Sequence, residues 1–203
     1  MLTWCTESTG ETFMMEKIVI VLLGCFPLLV HGQAPVFCRE FDCPSYTMTE
    51  NSTEFEVRQY EPTSWVVTNV SSSGNVSAAF GRLYFYLDGR NDRDQQINMT
   101  VPVLRATGGG GNATIMFYLG IVNPPNPTDS SVSLLHLPQM SFFVRSFNLD
   151  HMPTDGEYER ELRALESALG TQSSYDASVA YYAGYHAPWF QGERHNEIWL
   201  EQQ

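Results

Sequence analysis

The feature that most constrains the fold is an amphipathic helix pattern that occurs twice in the chain. Residues 75–89 and residues 154–169 both carry apolar side chains at the three- and four-residue spacing of one helix face. These positions are Val76, Phe80, Leu83 and Leu87 in the first helix, and Tyr158, Leu162, Leu165 and Leu169 in the second. Because each helix has one apolar face, each must pack against another layer of structure.

Both helices carry recognisable end signals. Asn75 is suited to cap the first helix, and Gly89 can end it in a left-handed conformation. Thr154 and Glu157 form a capping-box pattern at the start of the second helix, and Gly170 ends it. The pattern therefore predicts two separate helices of about four turns each.

The segments around the helices have the alternating or β-branched pattern of strands. The predicted strands are 46–48, 54–60, 65–70, 97–106, 113–120, 132–137, 140–147, 177–185 and 197–201. Pro102 interrupts the fourth of them, which predicts an edge or bulged strand because proline has no N–H donor. The order is strand pair, helix, strand pair, twice over. The predicted fold is α+β, a distorted antiparallel β-barrel with two flanking helices.

The N-terminal segment has the pattern of a secretory signal peptide. Lys17 precedes an uncharged run over residues 18–30, which is too short to span a membrane. We expect cleavage after Gly32, which leaves one domain over residues 33–203. A start of translation at Met14 or Met15 would give a signal of ordinary form.

Two further features agree with an oxidising, extracellular location. Five N-x-S/T sequons follow the signal, at Asn51, Asn69, Asn75, Asn98 and Asn112. Cys38 and Cys43 are expected to form a disulfide in that compartment, the alternative being two free thiols. The sequence thus predicts a secreted, disulfide-bonded glycoprotein.

Charge excludes several kinds of partner. The formal net charge is −12, and Lys17 is the only lysine. An acidic chain without other lysines is poorly suited to bind nucleic acid or an anionic membrane. Loss of Lys17 with the signal would also exclude Schiff-base chemistry.

No motif typical of a catalytic or metal site is found in the sequence. The histidines are scattered, so we expect no metal site and no enzymatic activity. Two aromatic runs, 84–86 in the first helix and 181–190 near the C-terminus, have two interpretations. They pack into the core, or they also form the walls of an apolar pocket.

Several separated segments resemble one family. FEVRQYEPTSWVVTNV, INMTVPV, FFVRSF, YYAGYHAP and NEIWL occur in the order and approximate spacing of the SOUL haem-binding proteins. The similarity extends over roughly residues 43–201. The resemblance implies a distorted barrel with two helices, and non-covalent binding of haem or another tetrapyrrole in an apolar groove beside the first helix.

The resemblance also implies which residues form that groove. Its first-helix wall would be Phe80, Leu83, Tyr84 and Leu87, with Tyr181, Tyr185 and Phe190 opposite. Arg82 and Arg194 are the expected partners for an anionic group on the ligand. Ser77, Phe85 and Phe190 stand where some family members have basic residues.

The position of an iron-ligating histidine in one member of the family is Gln59 in this chain. Glutamine is a poor ligand for iron, so we predict a planar apolar ligand held without an axial histidine.

The leading hypothesis is therefore a secreted carrier or scavenger of haem or a related tetrapyrrole. The alternative is a secreted protein-interaction factor whose groove is vestigial. An enzyme that acts on a pigment or lipid ranks third, since the sequence shows no catalytic constellation.

Overall fold

The computed structural model describes residues 34–70, 75–108, 113–171 and 173–203. The predicted signal peptide and the sequon asparagine Asn112 lie outside the described residues. Among the residues that the structure describes, neither helix has the length and apolar composition needed to cross a bilayer.

The described chain contains nine strands, two α-helices and one short 3₁₀ helix. The strands are β1 (Tyr46–Asn51), β2 (Glu56–Tyr60), β3 (Thr63–Asn69), β4 (Val103–Gly108), β5 (Ala113–Leu119), β6 (Val132–Leu137), β7 (Met140–Leu149), β8 (Val179–Gly184) and β9 (Arg194–Glu201). Helix α1 (Val76–Leu87) follows β3, helix α2 (Asp155–Leu169) follows β7, and the 3₁₀ helix is Val36–Cys38. These elements agree with the predicted order.

All nine strands form one antiparallel sheet in the order β1-β2-β7-β9-β8-β4-β5-β3-β6. From β2 to β6 the order is symmetric about the centre of the sheet. Strands at equal distances from the centre correspond in the two halves of the chain: β8 to β4, β9 to β5, β7 to β3 and β2 to β6. The two halves of the chain are thus related by a pseudo-twofold axis between β4 and β8. The curled sheet with two helices confirms the predicted fold class and repeat.

Alternation along each strand divides the side chains between two faces. In β5, Ile115 and Phe117 pack under α1, while Met116 faces a core enclosed by the curled sheet. A separate cluster lies under α2 and includes Tyr182 and Ile198. Both helices therefore cover the outer face of the sheet, and the inner face forms a core of its own.

The predicted helix ends are confirmed. Asn75 Oδ1 accepts a hydrogen bond from the Ala78 N–H, and Thr154 forms the full capping box with Glu157. Gly89 has a φ of 101°, one residue beyond the C-cap Asp88.

The prediction of an edge or bulged strand around Pro102 is wrong, since β4 is neither at an edge nor bulged in its pairing with β5 and β8. β4 lies near the middle of the sheet, between β8 and β5. Pro102 immediately precedes the strand, so its missing N–H removes no hydrogen bond from the β4 ladder.

A disulfide joins Cys38 to Cys43, as predicted. It closes a short loop whose neighbour Phe37 stacks on His195, with 4.1 Å between the ring centroids. The disulfide loop therefore packs onto the sheet at the start of β9.

The inner core contains a buried ion pair. Arg58 Nη1 lies 2.9 Å from Glu197 Oε1, and both side chains are almost fully buried. The other Glu197 oxygen accepts hydrogen bonds of 2.7 Å from the Tyr185 hydroxyl and the Trp199 indole. His195 Nε2 lies 2.8 Å from Glu197 Oε1. The carboxylate is thus satisfied on both oxygens without water.

This arrangement keeps Glu197 ionised. Burial alone would raise its pKa, but the hydrogen bond with His195 and the charge of Arg58 outweigh burial and lower the pKa to about 2. The sheet therefore closes around a fixed pair of opposite charges.

Removal of Arg58 should strongly destabilise the protein. We expect Arg58→Met to reduce the free energy of unfolding by about 3–5 kcal/mol, because the Glu197 carboxylate loses its charged partner while it stays buried. Urea unfolding measures the loss. Arg163→Met is the control, since it breaks an exposed pair with Glu159 and should cost no more than about 1 kcal/mol. Equal effects of the two substitutions would contradict this account.

Candidate ligand-binding groove

A strip of the outer face remains between the two helices. α1 packs on β3 and β5, and α2 packs on β7 and β9. Their axes are therefore separated by about four strand spacings, or about 19 Å along the sheet. Helices in direct contact lie only about 8–10 Å apart. The strip over β4 and β8 is thus the floor of a groove, which we call the interhelical groove.

Strand pairing identifies the residues on this floor. Arg105 of β4 pairs with Ile115 on one side and with Tyr182 on the other. Ile115 packs under α1 and Tyr182 packs under α2. Directly paired residues share a face of the sheet, so Arg105 lies on the outer face between the two helices.

The next row of paired residues on the floor is apolar, and one of its residues is a glycine. Val103 pairs with Phe117 of β5 and with Gly184 of β8. A Cβ atom at Gly184 would meet only the Tyr158 hydroxyl, at 4.0 Å. The floor is therefore deepest beside Val103.

One flank of α1 forms the first wall. Leu83 is fully buried against the sheet, whereas the Tyr84 side chain is 49% exposed. The Phe80 ring lies over Phe117, with 4.9 Å between the centroids, and stacks on Tyr84 at 6.5 Å. Phe117 lies between β3 and β4 in the sheet, and Arg82 on the other flank of α1 bonds to Thr68 of β3. The flank with Phe80 and Tyr84 consequently faces β4. Phe80 and Tyr84 therefore form an aromatic wall of the interhelical groove.

The second wall is Tyr158 of α2. Its ring stacks on Tyr182, with 4.8 Å between the centroids. Burial raises the pKa of the Tyr158 hydroxyl to about 12, so this wall is neutral at physiological pH.

The floor carries one cation. The Arg105 guanidinium lies over the rings of Tyr182 and Tyr158, at 5.0 and 5.6 Å from their centroids. Its Nη2 donates a hydrogen bond of 2.6 Å to Asp155 Oδ1 at the first turn of α2. The groove thus combines apolar and aromatic surface with one positive group near its centre.

Of the first-helix residues predicted to bind the ligand, two face this groove. Phe80 and Tyr84 lie on its wall, while Leu83 and Leu87 are buried beneath α1 and support it. Arg82 lies on the opposite flank of α1, where it donates to Thr68 Oγ1 and to the Asn69 carbonyl.

Tyr181 and Tyr185 lie on the other face of the sheet. Both belong to the inner core, and Tyr185 is fully engaged with Glu197. A void lined in part by Tyr181 and Trp199 has a volume of only about 10 Å³, hardly enough for one water molecule. The family resemblance implied that these tyrosines lie opposite Phe80, but the structure places them on the other face of the sheet.

Phe190 lies in the loop between β8 and β9, and Arg194 is the first residue of β9. The buried Arg194 guanidinium donates to the carbonyls of Ala187, Pro188 and Phe190 and thereby folds this loop. Phe190 contacts His186 and lies under the guanidinium of Arg39. The Arg194 guanidinium is thus bonded to the backbone of the loop that precedes β9.

The remaining predicted positions are spread over the molecule. Gln59 lies on β2 and pairs with Thr47 and Ser141, with three strands between β2 and β4. Ser77 and Phe85 are exposed on α1, and the guanidinium of Arg90 lies over the Phe85 ring.

Sequence reasoning missed the floor of the groove. Nothing in the residue pattern distinguishes Val103, Arg105 and Gly184 from other strand residues. Their importance follows from the pairing of β4 with β8, which links segments about 80 residues apart in the chain. Only the predicted pseudo-symmetric repeat could have indicated which strands meet at the centre of the sheet.

A second concave surface lies at the ends of β3, β5 and β6. It is an open cleft of about 620 Å³, and its lining includes Ser64, Tyr118 and His136. Ser64 Oγ and His136 Nδ1 lie 2.8 Å apart. None of the ligand-binding residues predicted from the sequence lines this cleft.

The family model and the curated relatives that match this chain are all described as haem-binding proteins. Residues 41–201 match the family model described as "SOUL heme-binding protein". Heme-binding protein 2 of Homo sapiens is 33% identical over 161 residues, which are 73% of this chain and 78% of the relative. Heme-binding protein 1 of Xenopus laevis is 25% identical over 158 residues, 72% of this chain and 82% of the relative.

A solved structure of a bacterial protein is also similar. It is a putative transcription regulation protein from Staphylococcus aureus, with a TM-score of 0.44 and 11% identity, over 75% of this chain and 99% of that chain.

Proposed function

Since the chain belongs to the SOUL family of haem-binding proteins, we propose that it binds haem or a related tetrapyrrole without covalent attachment in the interhelical groove. Its role is binding and not catalysis. The observation that carries the proposal is the aromatic and apolar strip left between α1 and α2 over β4 and β8.

The residues of the groove suit a flat, largely apolar group. Phe80 and Tyr84 offer ring faces, and Val103 with Gly184 offers a low apolar floor. Burial of aromatic and aliphatic surface on both partners supplies the main driving force. The void beside Tyr181 and Trp199 in the inner core is only about 10 Å³, far too small for a ligand of this size, so we place the ligand on the outer face.

We propose that no histidine binds an iron atom in this groove. The side chains that define it are Phe80, Tyr84, Val103, Arg105, Tyr158 and Tyr182, and none is a histidine. A tyrosine binds haem iron as tyrosinate, and burial, which raises the pKa of Tyr158 to about 12, disfavours that form at this residue. Bound there, a tetrapyrrole would supply its own light absorption and redox chemistry. The protein's contribution is burial and orientation.

The finer proposal is a secreted carrier or scavenger. The signal-like segment and the sequons support it, together with the disulfide between Cys38 and Cys43. Asn51 and Asn69 are exposed at strand ends, and Asn98 is exposed as well. At Asn75 the helix cap uses Oδ1, whereas a glycan is attached to the side-chain nitrogen, so capping leaves the acceptor atom free.

Haemin titration tests the binding proposal. We expect the mature wild-type chain to give a saturable Soret change at one equivalent. Gly184→Ile should weaken binding at least about tenfold, because a side chain fills the groove floor where a Cβ meets nothing closer than 4.0 Å. Phe80→Asp should abolish binding, because it places a charge on the apolar wall.

Phe85→Asp is the matched control for Phe80→Asp, since Phe85 is exposed on the face of α1 turned away from the groove. It should bind haemin like the wild type, and circular dichroism should show the same fold in every variant. If the wild-type protein changes the absorption spectrum of none of haemin, protoporphyrin and biliverdin, the carrier proposal is refuted and the interaction-factor alternative is favoured. Binding lost in His136→Ala but retained in Gly184→Ile would move the ligand to the cleft.

Expression in a eukaryotic secretory system tests the localisation. We expect the protein in the medium, with an N-terminus at Gln33 and a mass that falls after enzymatic removal of N-glycans. Substitution of Asn51 by Gln should reduce that mass difference by one glycan, because its side chain is exposed at the end of β1. Retention in the cytosol with residues 1–32 uncleaved would refute this part of the proposal.

A further inference from the structure

We propose that Arg105 anchors a carboxylate of the bound tetrapyrrole, an inference that rests on the function proposed above. Neither the residue pattern nor the family resemblance indicates this role. The ligand class that follows is a planar, apolar macrocycle with at least one ionised carboxylate at its edge.

The position of Arg105 is the first argument. It lies in the middle of the groove floor, with Ile115 and Tyr182 as its strand partners, and its side chain remains 22% exposed. If a planar ligand lies against Phe80 and Val103, a carboxylate at its edge is therefore near the Arg105 guanidinium.

The second argument is the hydrogen-bonding capacity of the guanidinium. It has five N–H donors arranged for bidentate contact with a carboxylate. Within the described part of the chain, one of these N–H groups donates a hydrogen bond to Asp155 Oδ1. The other donors remain available for a ligand.

The present partner of Arg105 is easily displaced or shared. The Asp155 side chain is 77% exposed, and an ion pair with so exposed a carboxylate is weak because water screens it. A ligand carboxylate that enters the groove loses more of its water, so its hydrogen bonds with the guanidinium are stronger.

The third argument is that the arginines expected from the sequence are engaged elsewhere. Arg82 is bonded to Thr68 and Asn69 on the far flank of α1, and buried Arg194 is bonded to three carbonyls of the loop before β9. Arg105 is the cation that the groove itself presents. Cation–π contacts with the rings of Tyr158 and Tyr182 hold the guanidinium on the floor.

The test uses two substitutions that break the same ion pair and predicts opposite effects. The mature chain is titrated with protoporphyrin IX and with its dimethyl ester, which keeps the ring and lacks the charges. Arg105→Gln should weaken binding of the free acid about tenfold or more, since charge-assisted hydrogen bonds are lost. Asp155→Asn should strengthen it severalfold, because it releases the guanidinium from its competitor.

Binding of the dimethyl ester should change less than about twofold in either variant, because the ester offers no charged acceptor. Glu159→Gln controls for the general loss of a negative charge on α2, and its effect should be smaller than that of Asp155→Asn. Arg163→Gln controls for the loss of an arginine and should be neutral. Arg105→Lys keeps the charge without the bidentate geometry and should lie between wild type and Arg105→Gln.

The outcomes separate the two proposals. If the wild type binds the acid and Arg105→Gln and Asp155→Asn shift its affinity in the same direction, or not at all, Arg105 has only a structural role and this inference is overturned. In that case loss of binding in Gly184→Ile would still support the groove. If the wild type binds neither compound, both proposals fail together.

Discussion

Each helix of this protein spans about two strands of the outer face, because a helix about 10 Å wide matches two strand spacings of about 4.8 Å. The pseudo-twofold arrangement places α1 on β3 and β5 and α2 on β7 and β9. The two strands at the axis, β4 and β8, are covered only in part, since Val103 packs at the edge of the cluster under α1 and Tyr182 packs against α2. The place of the groove thus follows from the width of the helices and the order of the strands.

The inner face of the sheet cannot serve the same purpose, because it is filled. Trp65 and Trp199 are almost completely buried there, and the ion pair between Arg58 and Glu197 holds β2 against β9. A buried pair of this kind is costly to disrupt by removal of one partner. A ligand in the outer groove leaves this ion pair intact, because the pair lies on the opposite face of the sheet.

Much of the fold could be predicted from the sequence, because helix faces, caps and strand alternation are local properties. The capping box at Thr154 and the N-cap at Asn75 are examples. The candidate site was predicted only in part. Tyr84 stands out as a surplus aromatic residue on a helix, and the family resemblance indicates Phe80. The inward orientation of Tyr181 and the central position of Arg105 depend on strand pairing between distant segments. The prediction at Pro102 was wrong because the residue pattern does not distinguish a proline just before a strand from a proline within it.

Paramagnetic broadening of amide NMR signals tests the central claim most directly. Ferric haemin broadens signals near the iron, and gallium protoporphyrin, which is diamagnetic, provides the reference. We predict that the strongest broadening falls on Val103, Gly184 and Tyr84, and that Arg58 of the inner core and Leu134 beside the open cleft are the least affected. Broadening centred on Ser64 and His136 would contradict the account, because it would place the ligand in the cleft and not between the helices.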